Sequence, residues 1–210
     1  MKVKVCGLRD LDNIAAIAEL RPDYLGFIFY PQSPRVVRNL NPILLQNIDS
    51  SVKKIGVFVD APAEEVAGTA TRYFLSGVQL HGSESPQYCA ALGQALRGIE
   101  VFKVFKVGAG FNFEVTARYE GTCTAFLFDT AGAEAGGTGQ SFCWGLLEEY
   151  RGKTPFLLSG GIGPGNIGAA KAAVLGHPHG AGVDVNSRVE ISPGLKSVTL
   201  VQQIIKEVRS

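Results

Sequence analysis

The sequence lacks the features that mark membrane proteins and nucleic-acid-binding proteins. No apolar run approaches the roughly 18 residues that a membrane-spanning helix needs. The 20 Lys and Arg residues nearly balance the 19 Asp and Glu residues, which gives a formal net charge of +1. A chain with so little net charge has no basic field to attract a nucleic acid or an anionic membrane surface. We therefore expect the partner to be a small molecule.

Cysteine is sparse, and its spacing indicates neither a disulfide framework nor a metal site. The four cysteines are widely separated, at Cys6, Cys89, Cys123 and Cys143. They form no CxxC pair and no Cys/His cluster at metal-ligand spacing. The chain also begins directly with a strand-like segment, without a charged and then apolar leader. These features predict reduced thiols, no metal and a soluble cytoplasmic protein.

Short apolar segments that end in a polar residue or a glycine recur along the whole chain, and they predict strands. The eight predicted strands span residues 2–6, 24–29, 54–59, 77–80, 101–107, 125–128, 155–158 and 182–183. Several are apolar throughout, as strands buried on both faces are. The strict alternation at 101–107 predicts that Lys103 faces either the interior of a barrel or solvent.

Helical patterns follow the strands, and their start signals are clear at several places. Candidate N-caps or first-turn residues are Asp10 or Asp12, Pro42, Ser85 and Ser197. Shorter helices are predicted within 108–120 and near 144–150. Eight units over 210 residues give about 26 residues per unit, enough for one (β/α)₈ TIM barrel domain spanning 1–210. The alternative is a doubly wound open sheet, but the GxGxxG fingerprint expected after its first strand is missing.

A barrel of this kind carries its chemistry on the loops that follow the strands. The predicted strand ends place these groups on one rim: Cys6, Arg35, Asp60, His81, Asp129, Gly160-Gly161 and Asp184. Each has an ordinary structural explanation, since a buried cysteine can fill a strand end and an acid can cap a turn. Their recurrence at successive strand ends favours an active site.

Glycine-rich and polar turns near the end of the barrel predict a phosphate site. Gly160-Gly161 follows the seventh strand, and the turn 186–188 follows the eighth, which is where such barrels bind phosphate. Exposed backbone N–H groups backed by a helix N-terminus bind an anion without interference from a Cβ. The loop 136–139 can close over the same group. We therefore expect a phosphorylated substrate.

Several segments together resemble one known family. They are 4–8, 27–35, 57–59, 78–82, Asp129, 137–139, 159–162 and 182–187. This combination is similar to phosphoribosylanthranilate isomerase of tryptophan biosynthesis over nearly the whole chain. The pairing of the opening Cys-Gly with the late Gly-Val-Asp-Val-Asn-Ser is the most specific part. The chain departs from the family pattern at Arg9, Cys143 and Ser197.

The resemblance implies an Amadori rearrangement of N-(5-phosphoribosyl)anthranilate to 1-(2-carboxyphenylamino)-1-deoxyribulose 5-phosphate, without a cofactor or metal. It implies Asp129 as the acid that opens the furanose and Cys6, as thiolate, as the base at C2′. Arg35 would bind the anthranilate carboxylate, and His81 and Asp184 would orient the sugar or amine. The implied phosphate contacts are Gly137, Gly139, Gly160, Gly161, Asn186 and Ser187. We expect the phosphate-binding dipoles and Arg35 to favour the thiolate, and the assembly to be a monomer or a homodimer.

Two other interpretations stay open. A related isomerase acting on a histidine-pathway aminoaldose would use the same reaction type, but such enzymes have a carboxylate where Cys6 stands. A non-enzymatic phosphate-binding barrel would keep the glycines and tolerate the loss of Cys6 and Asp129. The presence of both residues favours the phosphoribosylanthranilate isomerase.

Overall fold

Eight parallel strands close into a barrel in chain order. The computed structural model describes residues 1–130 and 144–210. The barrel strands are β1 (Lys2–Val5), β2 (Tyr24–Ile28), β3 (Lys53–Phe58), β4 (Gly77–Leu80), β5 (Glu100–Val107), β6 (Ala125–Thr130), β7 (Phe156–Ser159) and β8 (Gly180–Val185). The barrel closes where β1 pairs with β8, from Lys2 opposite Gly182 to Val5 opposite Val185. The predicted (β/α)₈ barrel is therefore confirmed.

Helical segments follow the strands, but two of them are not α-helices. The α-helices of the described ranges are α1 (Leu11–Glu19), α2 (Pro42–Gln46), α3 (Ala63–Arg72), α4 (Pro86–Ala95), α5 (Ile167–Leu175) and α6 (Val198–Arg209). In the fifth and sixth units the helices predicted from sequence are 3₁₀ helices, Phe113–Tyr119 and Trp144–Glu149. Their positions were predicted correctly, whereas their helix type was not, because an apolar pattern over so few residues does not distinguish i→i+3 from i→i+4 hydrogen bonding.

A short hairpin not predicted from sequence lies between β8 and α6. It consists of β9 (Glu190–Ser192) and β10 (Leu195–Lys196), and it follows a 3₁₀ turn at Ser187–Val189. The caps, in contrast, are where the sequence placed them: Asp10 accepts from the backbone of Asn13 at 2.9 Å. Ser85 and Ser197 cap α4 and α6 in the same way.

Alternation along the strands separates two cores. The core between barrel and helices is the larger, and it includes Val3 and Val5 of β1. The interior of the barrel is filled by a smaller cluster around Phe102, Val104 and Leu127.

The side chain of Lys103 faces neither the barrel interior nor solvent, the two environments predicted for it. Its ammonium is buried between the barrel and the outer layer, 3.0 Å from Glu84 Oε2, because three carbonyl oxygens also accept its N–H groups there.

None of the helices in the described ranges combines the length and the apolarity that crossing a membrane requires.

Candidate active site

Cys6 lies immediately after β1, at the floor of the rim cavity. Its backbone N–H donates to the carbonyl of Val185 at 2.9 Å, which continues the β1–β8 pairing by one residue. The residue is 4% exposed. Gly26 on the neighbouring strand faces it, and a Cβ at that glycine would lie 2.7 Å from Cys6 Sγ. The missing side chain at Gly26 therefore makes the space that the thiol occupies.

Lys4 lies two residues before Cys6 and is fully buried in the barrel. Its Nζ donates to Asp184 Oδ1 at 2.9 Å, and the other oxygen of that carboxylate accepts from Ser159 Oγ at 3.2 Å. The nearby thiol of Cys6 also favours the charged form of Lys4. Burial works to lower the pKa of Lys4, but Asp184 and Cys6 raise it above its ordinary value, so Lys4 remains a cation.

Two opposing effects act on the pKa of the Cys6 thiol. Burial raises the pKa of Cys6 above its ordinary value, while the ammonium of Lys4 favours the thiolate. The net pKa is raised in the protein alone, so the expectation of a thiol acidified by phosphate-binding dipoles and Arg35 is wrong for this state. Lys4 and Lys196 are the cations that favour the thiolate, whereas the Arg35 guanidinium is paired with Glu190.

Asp129 is on β6 and faces His81, which directly follows β4. The distance from His81 Nε2 to Asp129 Oδ2 is 3.4 Å, and both side chains are 28% exposed. On the other side of the ring, His81 Nδ1 lies 3.2 Å from Nε2 of Gln79. Gln79, His81 and Asp129 therefore form a continuous row across one side of the cavity.

Arg35 is held by an acid that lies far away in sequence. Its Nε and Nη2 donate to the two carboxylate oxygens of Glu190 at 2.8 and 2.7 Å. Lys196 also donates to Glu190 and, at 2.6 Å, to Asn186 Oδ1. Gly7, with φ +76°, makes room for this network, because a Cβ there would lie 2.7 Å from Asn186 Oδ1 and 2.8 Å from Arg35 Cδ.

Glu190→Gln is expected to lower stability in a pH-dependent way. Burial opposes ionisation of Glu190, but hydrogen bonds from Arg35, Lys196 and the Gly194 N–H lower its pKa from 4.5 to about 2. A carboxyl whose pKa is lowered by folding stabilises the fold above its unfolded pKa, and this contribution is lost as the pH falls through the folded value. The free energy of unfolding of wild type should therefore exceed that of Glu190→Gln at neutral pH, and the difference should shrink below pH 4.5.

Denaturant unfolding of both proteins across that range checks this expectation, with exposed Glu19→Gln as the matched control. A difference in the free energy of unfolding between wild type and Glu190→Gln that stays constant from neutral pH to the acid range would contradict it.

Two consecutive glycines form the loop after β7. Gly160 has φ +100° and Gly161 φ +62°, which are conformations that favour glycine. The loop is fastened by Asn166, whose Oδ1 accepts from the Gly163 N–H at 2.8 Å and whose Nδ2 donates to the Gly161 carbonyl at 3.0 Å. A Cβ at Gly161 would meet nothing within 4 Å, so this side of the loop is open.

A cavity of about 180 Å³ joins most of the predicted groups. Those that line it are Cys6, His81, Asp129, Gly160, Gly161, Asp184, Asn186 and Ser187. Sequence reasoning missed Gln79, which also lines it. The signal was available, because Gln79 interrupts an apolar strand two residues before His81 and therefore shares its face.

The remaining predicted residues lie outside this cavity. Arg35 adjoins it through Asn186. Asp60 lines a neighbouring cavity of about 730 Å³, which shares His81 but contains neither Cys6 nor the glycines. There Asp60 Oδ1 accepts from the Ser83 N–H at 2.7 Å, so it braces the loop after β4. Arg9, a departure from the family pattern, donates to the Pro34 carbonyl at 2.8 Å and connects two rim loops.

The predicted loop 136–139, with Gly137 and Gly139, lies outside the described residues, as does Cys143. Cys6, Cys89 and Cys123 are free thiols. Across residues 1–130 and 144–210, no three His, Cys, Asp or Glu side chains are grouped so that they could bind a metal.

Comparison with known proteins gives one consistent family. A family model described as N-(5′-phosphoribosyl)anthranilate (PRA) isomerase matches residues 3–207. An N-(5′-phosphoribosyl)anthranilate isomerase from Parabacteroides distasonis is 44% identical over 211 residues, covering 99% of this chain and 93% of that protein.

Solved structures of the same enzyme share the fold. A phosphoribosylanthranilate isomerase in complex with reduced 1-(o-carboxyphenylamino)-1-deoxyribulose 5-phosphate is 29% identical with a TM-score of 0.80, covering 100% of this chain and 98% of that one. Monomers derived from the dimeric phosphoribosylanthranilate isomerase of Thermotoga maritima are 30% identical with a TM-score of 0.77, covering 100% of this chain and 98% of that one.

Proposed function

The chain belongs to the N-(5′-phosphoribosyl)anthranilate isomerase family, and we propose that it rearranges this aminoaldose with Asp129 as general acid and Cys6 as general base. One observation carries the assignment: a single cavity brings both residues together with the Gly160-Gly161 loop. The relative that binds a reduced form of the phosphorylated product supports the same class of ligand for this chain.

The first step opens the furanose ring. A proton delivered by Asp129 converts the ring oxygen to a hydroxyl as the bond from C1′ to that oxygen breaks. The anthranilate nitrogen supplies the electron pair, which gives an iminium at C1′. The protein therefore needs only a positioned proton donor for this step. Asp129 lies in the rim cavity, where a sugar ring would meet it.

The second step moves the C2′ proton. The Cys6 thiolate takes this proton, and the electron pair left behind neutralises the iminium to give an enolamine. Ketonisation then adds one proton at C1′ and releases one from the C2′ hydroxyl. The protons balance when Cys6 returns its proton to C1′ and Asp129 recovers one from the hydroxyl, so both groups are ready for the next turnover.

Lys4 and Asp184 support the base. An uncompensated thiolate in a buried position is costly, and the contact with the Lys4 ammonium offsets part of this cost. Asp184 is 5% exposed and already accepts from Lys4 and Ser159. We therefore assign Asp184 to holding Lys4 beneath the thiol, in place of the direct contact with the sugar or amine predicted from sequence.

The two ends of the substrate would be held by different groups. Gly160, Gly161, Asn186 and Ser187 line the cavity and are proposed to bind the phosphate. Arg35 is proposed to bind the anthranilate carboxylate with the part of its guanidinium that does not face Glu190. Glu190 then fixes the position of the guanidinium before the substrate arrives.

Gly161→Val is expected to raise KM steeply and to weaken competitive inhibition by inorganic phosphate. A β-branched residue at φ +62° is strained, and its side chain would enter the open space where the phosphate is placed. Gly165→Val is the matched control, because it lies on the same loop and also has nothing within 4 Å of its Cβ, at an ordinary backbone angle. Steady-state kinetics with and without phosphate make the measurement. Unchanged KM and phosphate inhibition in Gly161→Val would move the phosphate site elsewhere.

The activity itself is tested with freshly prepared N-(5-phosphoribosyl)anthranilate, whose consumption is followed by the loss of anthranilate fluorescence. Turnover by the purified protein is the expected result. A protein that binds phosphate but does not consume this substrate would instead be a non-enzymatic phosphate-binding barrel. The assembly as a monomer or a homodimer, the latter as in the Thermotoga relative, and a cytoplasmic location stay predictions.

A further inference from the structure

The inner end of the row from Gln79 to Asp129 contains an unusual buried group. Gln79 is 1% exposed, and within the described ranges its carbonyl oxygen Oε1 has no hydrogen-bond partner. A buried polar atom without a partner costs roughly 1–3 kcal/mol. An apolar side chain at this position of the barrel would avoid that cost, so the amide is retained for something other than packing.

The amide is in contact with one group that can change its charge. Gln79 Nε2 lies 3.2 Å from His81 Nδ1, and in this arrangement the amide donates to an imidazole nitrogen that carries no proton. The opposite nitrogen, Nε2 of His81, then carries the proton and lies 3.4 Å from Asp129 Oδ2. The arrangement corresponds to a neutral imidazole beside the carboxylate.

The same side chain also fits a protonated imidazole. The oxygen and the nitrogen of a glutamine amide have nearly the same shape, so rotation by half a turn exchanges their places. After this rotation Gln79 Oε1 would accept a hydrogen bond from a protonated Nδ1, and the atom that now lacks a partner would gain one. Glutamine thus supports His81 in both charge states, which neither a pure acceptor nor an apolar side chain can do.

We propose that the His81–Asp129 pair stores the proton used to open the furanose, and that Gln79 is the positioning residue that holds His81 in both charge states. This inference rests on the proposed function and deepens it. An ordinary carboxyl, with a pKa of about 3.9, is ionised at neutral pH, whereas an ordinary imidazole titrates near 6.5. The imidazole beside Asp129 therefore gives the pair a second position for the proton, 3.4 Å from the carboxylate.

The proton balance follows the two steps already described. In the loaded pair, the imidazolium donates from Nε2 to the carboxylate of Asp129 and from Nδ1 to Gln79. Asp129 takes the Nε2 proton and passes it to the ring oxygen, which leaves a carboxylate and a neutral imidazole whose remaining proton, on Nδ1, is donated to Gln79 Oε1. The proton released from the C2′ hydroxyl during ketonisation returns by the same route and reloads the pair.

Other charged groups surround the pair and must be considered in any pH experiment. Those that line the two cavities beside it are Cys6 after β1, Asp60 after β3, Lys103 and Lys106 on β5, Arg118 in the 3₁₀ helix that follows β5, and Asp184 on β8. Lys103 is neutralised by Glu84 at 3.0 Å, and Asp184 by Lys4 at 2.9 Å. The variants below leave all these groups in place, so a change can be assigned to Gln79 or His81.

The first test measures the ring directly and needs no substrate. Nitrogen NMR of protein labelled with ¹⁵N-histidine reports the tautomer and the titration of each histidine ring. The signals of His81 are identified as those that disappear in His81→Gln, whereas the signals of His177 and His179 remain. In wild type we expect an imidazolium at the acid end of the titration and a neutral ring protonated at Nε2 at its alkaline end. Gln79→Glu, which can only accept, should move the titration of His81 to higher pH, and Gln79→Met should give a mixture of tautomers. An unchanged tautomer and titration in both variants would overturn the role of Gln79.

The second test measures turnover against pH. His81→Gln keeps an N–H that can reach Asp129 but cannot store a proton, so we expect kcat to fall by roughly 10²-fold, within the usual range for general acid catalysis. Gln79→Met should lower kcat with little change in KM, and Gln79→Glu should move the limb of the profile that belongs to the His81–Asp129 pair to higher pH. Exposed Gln87→Met, on the neighbouring cavity, is the matched control.

Wild-type kcat and an unshifted profile in His81→Gln would overturn proton storage by the pair. Thermal unfolding of each variant separates a loss of fold from a loss of proton storage. If the wild-type protein does not turn over the substrate, the proposed function fails, while the NMR measurement still decides whether Gln79 controls the charge and tautomer of His81.

Discussion

Cys6→Ala is expected to lower kcat/KM by roughly 10²–10⁴-fold, the usual contribution of a general base, without loss of the fold. Alanine cannot take the C2′ proton, so the iminium would form and return without reaction. The substitution removes one sulfur atom from a position that Gly26 keeps open, and the β1–β8 pairing through the backbone of Cys6 stays in place.

The pH dependence of the wild-type enzyme should reflect the environment of this thiol. Because burial raises the pKa of Cys6, only a small fraction is thiolate at neutral pH, and that fraction grows as the pH rises. Alkylation of Cys6 by iodoacetamide, located by mass spectrometry, should therefore accelerate with pH above neutrality.

Cys89→Ala provides a matched control, since it removes another buried thiol that lies away from the cavity. Steady-state turnover and thermal unfolding of both variants make the comparison. Near-normal turnover in Cys6→Ala would show that Cys6 only fills the end of a strand, and the base would have to be sought elsewhere in the cavity.

Asp129→Asn should be impaired on a similar scale, roughly 10²–10⁴-fold. The amide has nearly the shape of the carboxyl but cannot pass a proton to the ring oxygen, and the route from His81 ends at it. Residual activity should lack the limb of the pH profile that the His81–Asp129 pair contributes, while the limb due to Cys6 remains.

Asp60→Asn is the control for this variant, because it makes the same change on the same rim in the neighbouring cavity. Its backbone, at φ +49°, is a conformation that asparagine tolerates. The profiles of kcat/KM against pH for wild type and the two variants test whether Asp129 is the general acid. If Asp129→Asn keeps full activity and both limbs, Asp129 is not the acid, and ring opening depends on another group.

The barrel and the location of its chemistry follow from local patterns in the sequence. An apolar run in the sequence predicts each strand, and a residue such as Cys6 or Asp129 lies at its end. Parallel strands of a barrel bring such ends to one rim. Glycines at 160 and 161 mark a sharp turn there for the same local reason, since few other residues adopt positive φ. These features need no knowledge of which distant segments are in contact.

Only the tertiary structure decided which partner each of these side chains has. Lys4 pairs with Asp184 across 180 positions of sequence, and Arg35 pairs with Glu190 across 155. Alternation along a strand determines the face on which a side chain lies, but a charge pairs with whatever group lies within a few ångström, and that depends on barrel closure. For the same reason, only barrel closure brought Asp184 to Lys4, whereas the contact between the Gln79 amide and the His81 ring also needed the side-chain conformations of the folded protein.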